Sequence, residues 1–356
     1  MHIRSFATPM QNKPEPELTL GPDREKVGAN RWQVAPADFA QWRETASWSH
    51  VADMGVLEIE GPDALAFLHA QTTADILAMS TSRWQLGGYC TAKGRLLGIF
   101  QAWRWDGGVR LLVPANIATN LQRRLSMFVL RSKVRVHEVS PAWALLGLHC
   151  HPNMDFPARA GVPAPEEPWQ CVPVEGDGRI ARMPSVDDSA GNLLLAIPAR
   201  ALAQWKERLA PAAELGAGLW WWSQIQAGIP AVFASTQELF VPQTVNLEVL
   251  GGVSFRKGCY PGQEIVARSQ YLGKLRRRLA LAHAPQLGAL PDIFHDGATD
   301  PVGHILMAAT APEGGWDLLL ECPTELTLRG SLHAGAPDAP AVRVRPLPYP
   351  IVDPTA

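Results

Sequence analysis

From residue 50 onward the chain alternates between short apolar runs and polar breaks, and the spacing of the apolar positions assigns most of its elements. Val56 to Ile59 reads as a strand. Gly61-Pro62-Asp63 opens a helix, because proline's fixed φ suits the first helical turn. Leu65 and Leu68 share one face of that helix, and Gln71-Thr72-Thr73-Ala74-Asp75 closes it. Leu96 to Trp105 and Val109 to Val113 flank Asp106-Gly107-Gly108, which predicts a hairpin. Pro114 opens a second helix, with Ile117, Leu121, Leu125 and Phe128 at helical spacing, and a strand follows from Val134 to Val139.

A second unit begins near Pro141. Trp143 to Leu148 and Asn192 to Ile197 are apolar runs of strand length, and Ala199 to Leu209 is an amphipathic helix through Leu202, Trp205 and Leu209. The proline-rich stretch from His151 to Pro168 reads as a surface loop between them. Strands and helices in this proportion predict an α+β layer with its sheet covered on one side. Trp220 to Gly228 is predicted helical and stops at Ile229-Pro230. Three consecutive tryptophans, Trp220, Trp221 and Trp222, point different ways on any regular element, so one of them is expected in a cleft or at the surface.

Beyond Arg278 the pattern shortens to apolar runs at Leu279–Leu281, Val302–Met307, Trp316–Leu320, Leu326–Leu328 and Val342–Val344, punctuated by glycine, proline and aspartate. That is the signature of a small β-barrel or sandwich. Residues 1–45 are polar and rich in proline and charge, and read as a mobile lead-in.

Composition narrows the class. A chain of 356 residues exceeds one ordinary core, so two or three domains are expected. A net charge of −2 gives no sign of bulk nucleic-acid binding. The five cysteines lie far apart without a CxxC pair, which fits a reducing cytosol and excludes a disulfide framework or a self-contained zinc or four-thiolate site. No apolar run has the length of a secretion signal or a membrane span, so a cytoplasmic protein is expected. The ten histidines are scattered along the chain without HxxxH spacing, and no histidine metal site is predicted. His69 and His304 read as ordinary residues, and Asp63 and Asp75 as helix-end groups.

The stretch Phe255 to Arg278, FRKGCYPGQEIVARSQYLGKLRRR, is where candidate chemistry concentrates. Cys259 sits between Gly258 and Tyr260, with Arg256 and Lys257 before it and Pro261, Gly262, Gln263 and Glu264 after. Two glycines and a proline within five residues specify a tight turn. Neighbouring cations favour the thiolate, the nucleophilic and metal-binding form of cysteine. From Arg256 to Arg278, seven positive groups face one negative group, which suggests an anionic partner.

KGCYPGQE closely resembles the signature of the YgfZ family of folate-binding proteins, which includes mitochondrial iron–sulfur assembly relatives. GPDALAFLHAQTTADI, CTAKGRL, IQAGIP, FVPQTVNL, GGVSFRKGCYPGQE and the closing PLPY follow in that family's order, so the resemblance spans roughly residues 50 to 350. It implies the fold of the aminomethyltransferase T-protein of the glycine cleavage system, an α+β arrangement of three domains around a central hole that holds a folate. The expected division is residues 46–139 with 240–275 as a discontinuous first domain, 140–239 as a ferredoxin-like second domain, and 276–356 as a C-terminal barrel.

The resemblance also implies residue roles. Cys259 matches the signature cysteine, and Lys257, Gly258, Tyr260, Gly262, Gln263 and Glu264 match the rest of the turn. The aromatic residue that stacks on folate falls on Trp220, as a flat pterin against an indole requires. A second aromatic position falls on Met54, whose polarizable sulfur can cover a ring face. Gln71, Thr72 and Thr73 are candidates to face the folate hole, and Lys257 with the arginines, Arg268 among them, to lower the Cys259 pKa or attract the folate's glutamate carboxylates. The aminomethyltransferases carry an acid in the strand matching Gly94-Arg95-Leu96-Leu97-Gly98-Ile99, and this chain has none there. A missing acid or base removes roughly 10² to 10⁴-fold of rate, which argues against a working aminomethyltransferase.

The expected function is therefore a protein that binds tetrahydrofolate or a derivative and supports iron–sulfur cluster assembly or repair, with indirect effects on tRNA thiomethylation. Cys259 then acts as a reactive thiol or as a transient cluster ligand shared with a client protein. Two alternatives stand beside it: a folate-dependent one-carbon transferase, and a tRNA-binding accessory using the basic tract from Arg268 to Arg278.

Overall fold

The computed structural model describes residues 30–150, 160–185, 191–271 and 275–351. The chain enters through strand β1 (Arg31–Trp32) and helix α1 (Pro36–Glu44), then β2 (Ser47–His50). Of the lead-in expected to be mobile, residues 1–29 lie outside the described residues, whereas residues 31–44 form this strand and helix. The reason is aromatic: Trp32 stacks on Trp221 with ring centroids 4.5 Å apart, and Phe39 is buried against Trp222. Two such rings bury enough area to order a polar segment that composition alone leaves unstructured.

The first sheet holds β3 (Met54–Glu60), β4 (Gln85–Cys90), β5 (Leu96–Trp105), β6 (Gly108–Pro114) and β7 (Arg135–Glu138), in the order β4-β5-β6-β3-β7 with every neighbouring pair antiparallel. Helices α2 (Ala64–Gln71) and α3 (Ala115–Ser126) cover one face. The hairpin and both helices match the apolar spacing, except that Phe128 lies beyond the end of α3 and is 43% exposed. Strand β4 was not read from the sequence, since Gln85-Leu86-Gly87-Gly88 offers few β-branched residues.

The middle sheet runs β12 (Ala213–Leu215), β2, β8 (Trp143–Cys150), β11 (Gly191–Pro198), β10 (Gly178–Met183) and β9 (Cys171–Val174). Strand β2, expected with the first domain, pairs here instead, Ser47 to His50 against Leu146 to His149 of β8. Helix α4 (Leu202–Leu209) packs on one face through Trp205 and Leu209. Part of the predicted proline-rich loop, residues 151–159, lies outside the described residues.

After helix α5 (Ala217–Gln226) the chain returns past the first sheet to helix α6 (Gln263–Tyr271). It then builds β13 (Arg277–Ala284), β14 (Asp292–His295), β15 (Gly303–Thr310), β16 (Trp316–Pro323), β17 (Leu332–Ala334) and β18 (Ala341–Arg345). The order β15-β14-β17-β18-β13-β16 closes through β15–β16, a six-stranded antiparallel barrel, and β1 joins β15 in parallel. The Leu326–Leu328 run, read as a strand, is largely a 3-10 turn at Thr324–Thr327.

Alternation along the strands explains how the units meet. Leu193, Leu195 and Ile197 of β11 face α4, while Leu194 and Ala196 face a shared centre. Ile99 and Trp103 of β5, and Leu279 and Leu281 of β13, turn to that same centre. Sheets buried on both faces read as near-continuous apolar runs, which is what these strands show. Helix α5 occupies the centre and sends its three indoles in three directions. Trp220 packs on β8, where a β-carbon at Gly147 would stand 2.3 Å from its ring, so this strand position accepts only glycine. Trp221 donates to Asp53 Oδ2 at 2.6 Å, and Trp222 donates to Asp317 Oδ2 of the barrel at 2.8 Å.

Candidate functional site

Two distinct features qualify. The first is an internal slot between the first and middle sheets, closed by helix α5. Its walls come from β3 (Met54), β5 (Ile99, Gln101), β11 (Leu194), α5 (Trp220, Trp221, Gln224) and the Ile229-Pro230-Ala231 turn that follows. The cavity itself is about 20 Å³, room for about one water, so the slot is pinched shut between its lining side chains. The wall is apolar apart from two amides. The side-chain oxygens of Gln101 and Gln224 are buried without a hydrogen-bond partner, and both residues line the slot. Unpartnered buried carbonyls are costly, and each of these two can accept a hydrogen bond from an N–H group of a ligand. No carboxylate is among the lining residues, in keeping with the acid missing from β5.

Of the residues expected around a folate, the structure brings Trp220 and Met54 together in this slot. Gln71, Thr72 and Arg268 are not among its lining residues. Thr72 is buried, and its hydroxyl donates to Leu68 O at 2.9 Å at the end of α2. Gln71 Oε1 is buried without a hydrogen-bond partner. Arg268 is exposed on α6. Sequence reading missed Gln101 and Gln224, although the signal was present. Each is an amide flanked by apolar residues, and a buried polar residue is the informative exception, although its burial shows only in three dimensions.

The second feature is the signature turn. Cys259 is exposed and is not part of the slot wall. The turn is fixed by backbone contact rather than by bulk. Gly262 has φ +82°, and a β-carbon there would stand 2.4 Å from Thr91 O and 2.7 Å from Gly94 Cα. The signature turn and the Thr91–Arg95 turn between β4 and β5 therefore lie backbone to backbone, which only glycine permits. Helix α6 starts immediately after, with Glu264 in its first turn, where a carboxylate complements the helix dipole.

Lys257 departs from the role expected of it. Its side chain is buried, and Nζ donates to the main-chain oxygens of His69 and Thr72 (2.7 Å for Thr72), closing the C-terminal end of α2. It also lies 4.7 Å from the centre of the buried Tyr260 ring. Burial lowers its pKa to about 8, against the raising influence of Asp75 and Cys259. The lysine is thus first a clasp between the turn and α2, and only second a charge near the thiol. Thr73 extends the clasp: its hydroxyl donates to Gly252 O at 2.6 Å and accepts from Gly88 N at 2.7 Å.

The basic tract also divides. Arg277 pairs with Glu321 through two bonds of 2.6 and 2.7 Å, and the buried Arg278 pairs with Glu248 and donates to Gln243 O. Arg256, Arg268 and Arg276 remain exposed. The expected single anionic-partner face from Arg268 to Arg278 is therefore not formed, because its last two arginines are neutralised inside the barrel junction.

Comparison with solved structures defines the class. The glycine cleavage system aminomethyltransferase T from Bartonella henselae superposes with a TM-score of 0.66 at 17% identity, covering 85% of this chain and 86% of that one. The fold is that of an aminomethyltransferase T-protein. No family model matches the chain. The curated relatives include the tRNA-modifying protein YgfZ of Klebsiella pneumoniae (strain 342), 28% identical over 311 residues, covering 85% of this chain and 92% of the relative. The protein of the same name from Serratia proteamaculans (strain 568) is 28% identical over 313 residues, with the same coverage. The resemblance carried by KGCYPGQE thus extends over most of the chain, and the protein is a relative of the YgfZ proteins on a T-protein fold.

Proposed function

We propose that the slot between the first and middle sheets, beside helix α5, binds a reduced folate and that Cys259, on its separate turn, serves iron–sulfur cluster assembly or repair. The observation that carries the folate reading is the pair of unpartnered carbonyl oxygens, Gln101 and Gln224, beside the Trp220 indole. A tetrahydropterin is flat enough to lie against an indole and offers several N–H donors, which matches neutral acceptors on an apolar wall. Met54 and the two glutamines are flexible side chains whose displacement opens the pinched slot to a ring. The bound folate would supply a one-carbon or electron carrier, and the chain's own residues would orient it and exclude water.

With no carboxylate lining the slot, one-carbon transfer lacks its acid or base, so binding without aminomethyl transfer is the expected behaviour. Among the described residues no group of three His, Cys, Asp or Glu could hold a metal. A cluster is then cargo, with Cys259 as one transient thiolate and the remaining ligands from a client. A tRNA-modification role, in the sense of the relatives' name, would follow through a cluster-dependent modifying enzyme.

Calorimetric titration with tetrahydrofolate tests the slot. Saturable binding is expected, weakened at least roughly tenfold by Gln224→Leu, about the cost of one lost buried hydrogen bond. Absence of binding to the unaltered chain overturns the folate reading. For the thiol, Cys259→Ala is expected to lower the activity of cluster-dependent enzymes in cells. Unchanged activity removes Cys259 from the proposal.

A further inference from the structure

We propose that the tip following α3 is a docking surface for a single-stranded RNA segment. Residues 123–137 read RRLSMFVLRSKVRVH, five arginine or lysine residues without one acid. The apolar side chains at the tip are open to solvent: Met127 is 66%, Phe128 43% and Leu130 89% exposed. Arg123, Arg131 and Lys133 are exposed around them, and among the described residues no carboxylate pairs with their side chains. Exposed Lys133 leads into β7, where exposed Arg135 and His137 flank buried Val136, so these last two project on one side of an edge strand. Every second residue of a strand repeats at about 6.6 Å, close to the separation of successive phosphates along one nucleic-acid strand.

The acids nearby are few. Glu60 lies 3.6 Å from Arg135 and 3.4 Å from His137, and Asp63 accepts only the main-chain N–H of Lys133. Asp106 shares an open groove with Lys133 and Arg135. These offset part of the charge on β7 and leave the tip itself wholly cationic. A protein partner is less well matched, since a stable interface needs about 800 Å² per side with an apolar core, and three side chains supply little of that. An unpaired base needs one aromatic face and a row of cations, which Phe128 and its neighbours provide. The surface is also distinct from the 268–278 tract, whose Arg277 and Arg278 are already paired. The inference rests on the tRNA side of the proposed function and is independent of the folate slot, so a folate titration and an RNA titration fail separately.

The test is fluorescence anisotropy of the full chain with a labelled mixed-sequence 15-nucleotide RNA and an unmodified tRNA transcript, over a range of salt. Binding that weakens with salt is expected. Arg131→Glu with Lys133→Glu should lower the magnitude of the log–log salt slope by about 1.4. Phe128→Ala should weaken binding roughly tenfold with the slope unchanged. Arg268→Glu should leave both as they were. Thermal melts of each variant check folding, and Phe128→Tyr, which keeps the ring, should restore affinity. No binding at low salt overturns the proposal. So does binding indifferent to the tip but sensitive to Arg268→Glu, or a tip that binds anionic vesicles or an acidic protein and not RNA.

Discussion

The tryptophan helix and the cysteine turn lie in one chain and obey opposite rules. Helix α5 is held on every side: Trp220 by β8, Trp221 and Trp32 by the same Asp53 oxygen, and Trp222 by Asp317. The turn at Cys259 is held by two backbone approaches, one lysine and the buried Tyr260 ring, and its thiol faces solvent. The centre is built to hold a rigid shape, and the turn to present a reactive group cheaply removed from the packing. A slot inside a stiff hub can read a ligand's shape, while a thiol on a thin rim can meet a partner.

That contrast can be broken from either side. Trp220→Ala is expected to have the largest effect, destabilising the chain by about 3–5 kcal/mol in urea unfolding, as large aromatic truncations do. A loss below about 1 kcal/mol would mean that the hub is not the rigid partner of the pair. Next comes acid. His149, buried beside Trp220 and bonded to Asn192, has its pKa lowered to about 4 by that burial. Between pH 6.5 and 4 the unfolded chain binds the proton and the folded chain does not. The contribution is therefore fully present above pH 6.5 and is lost as pH falls toward 4, by up to about 3 kcal/mol. Melting temperature against pH should fall in that window, and His149→Phe should flatten it.

Smaller effects are expected at the turn. Gly262→Ala meets Thr91 O and a left-handed φ, so a cost of roughly 1–3 kcal/mol is expected, confined to the turn. Its readout is a changed rate of Cys259 alkylation with the cooperative melt nearly intact. A global unfolding instead would tie the turn to the hub. Cys259→Ser should be the quietest, within about 0.5 kcal/mol of the unaltered chain, because an exposed side chain leaves no cavity. The same variant should abolish thiol labelling above the slow background of the four buried cysteines, two of which, Cys90 and Cys322, burial raises to about 12.

Much of this architecture is visible in the letters, and the gaps have physical causes. Period-2 and helical spacing located β3, β5, β6, α3 and α4, where one face is buried and the pattern is strong. Strands β4, β9, β10, β14 and β17 escaped because they are short, glycine-bearing or broken by charged residues, which blurs the period-2 pattern. The pairing of Ser47–His50 with β8 crosses nearly a hundred residues, and no local signal records such a contact. At the site, Cys259 was legible from its turn and Trp220 from the resemblance. The inward direction of Lys257 was not, since charge beside a thiol reads as activation until His69 and Thr72 are seen to take it. Gln101 and Gln224 were overlooked because their meaning depends on lacking a partner, which is a property of three dimensions.

The parallel pairing of Arg31–Trp32 with Ala308–Ala309 has a consequence for synthesis. The ribosome delivers β1 some 275 residues before its β15 partner, so this strand pairing waits for the barrel, whereas the Trp32 indole can already meet Trp221 and Phe233 once α5 and the turn after it emerge. Closing so long a loop is slow, and the backbone edge of β1 is capped only when the last domain is complete.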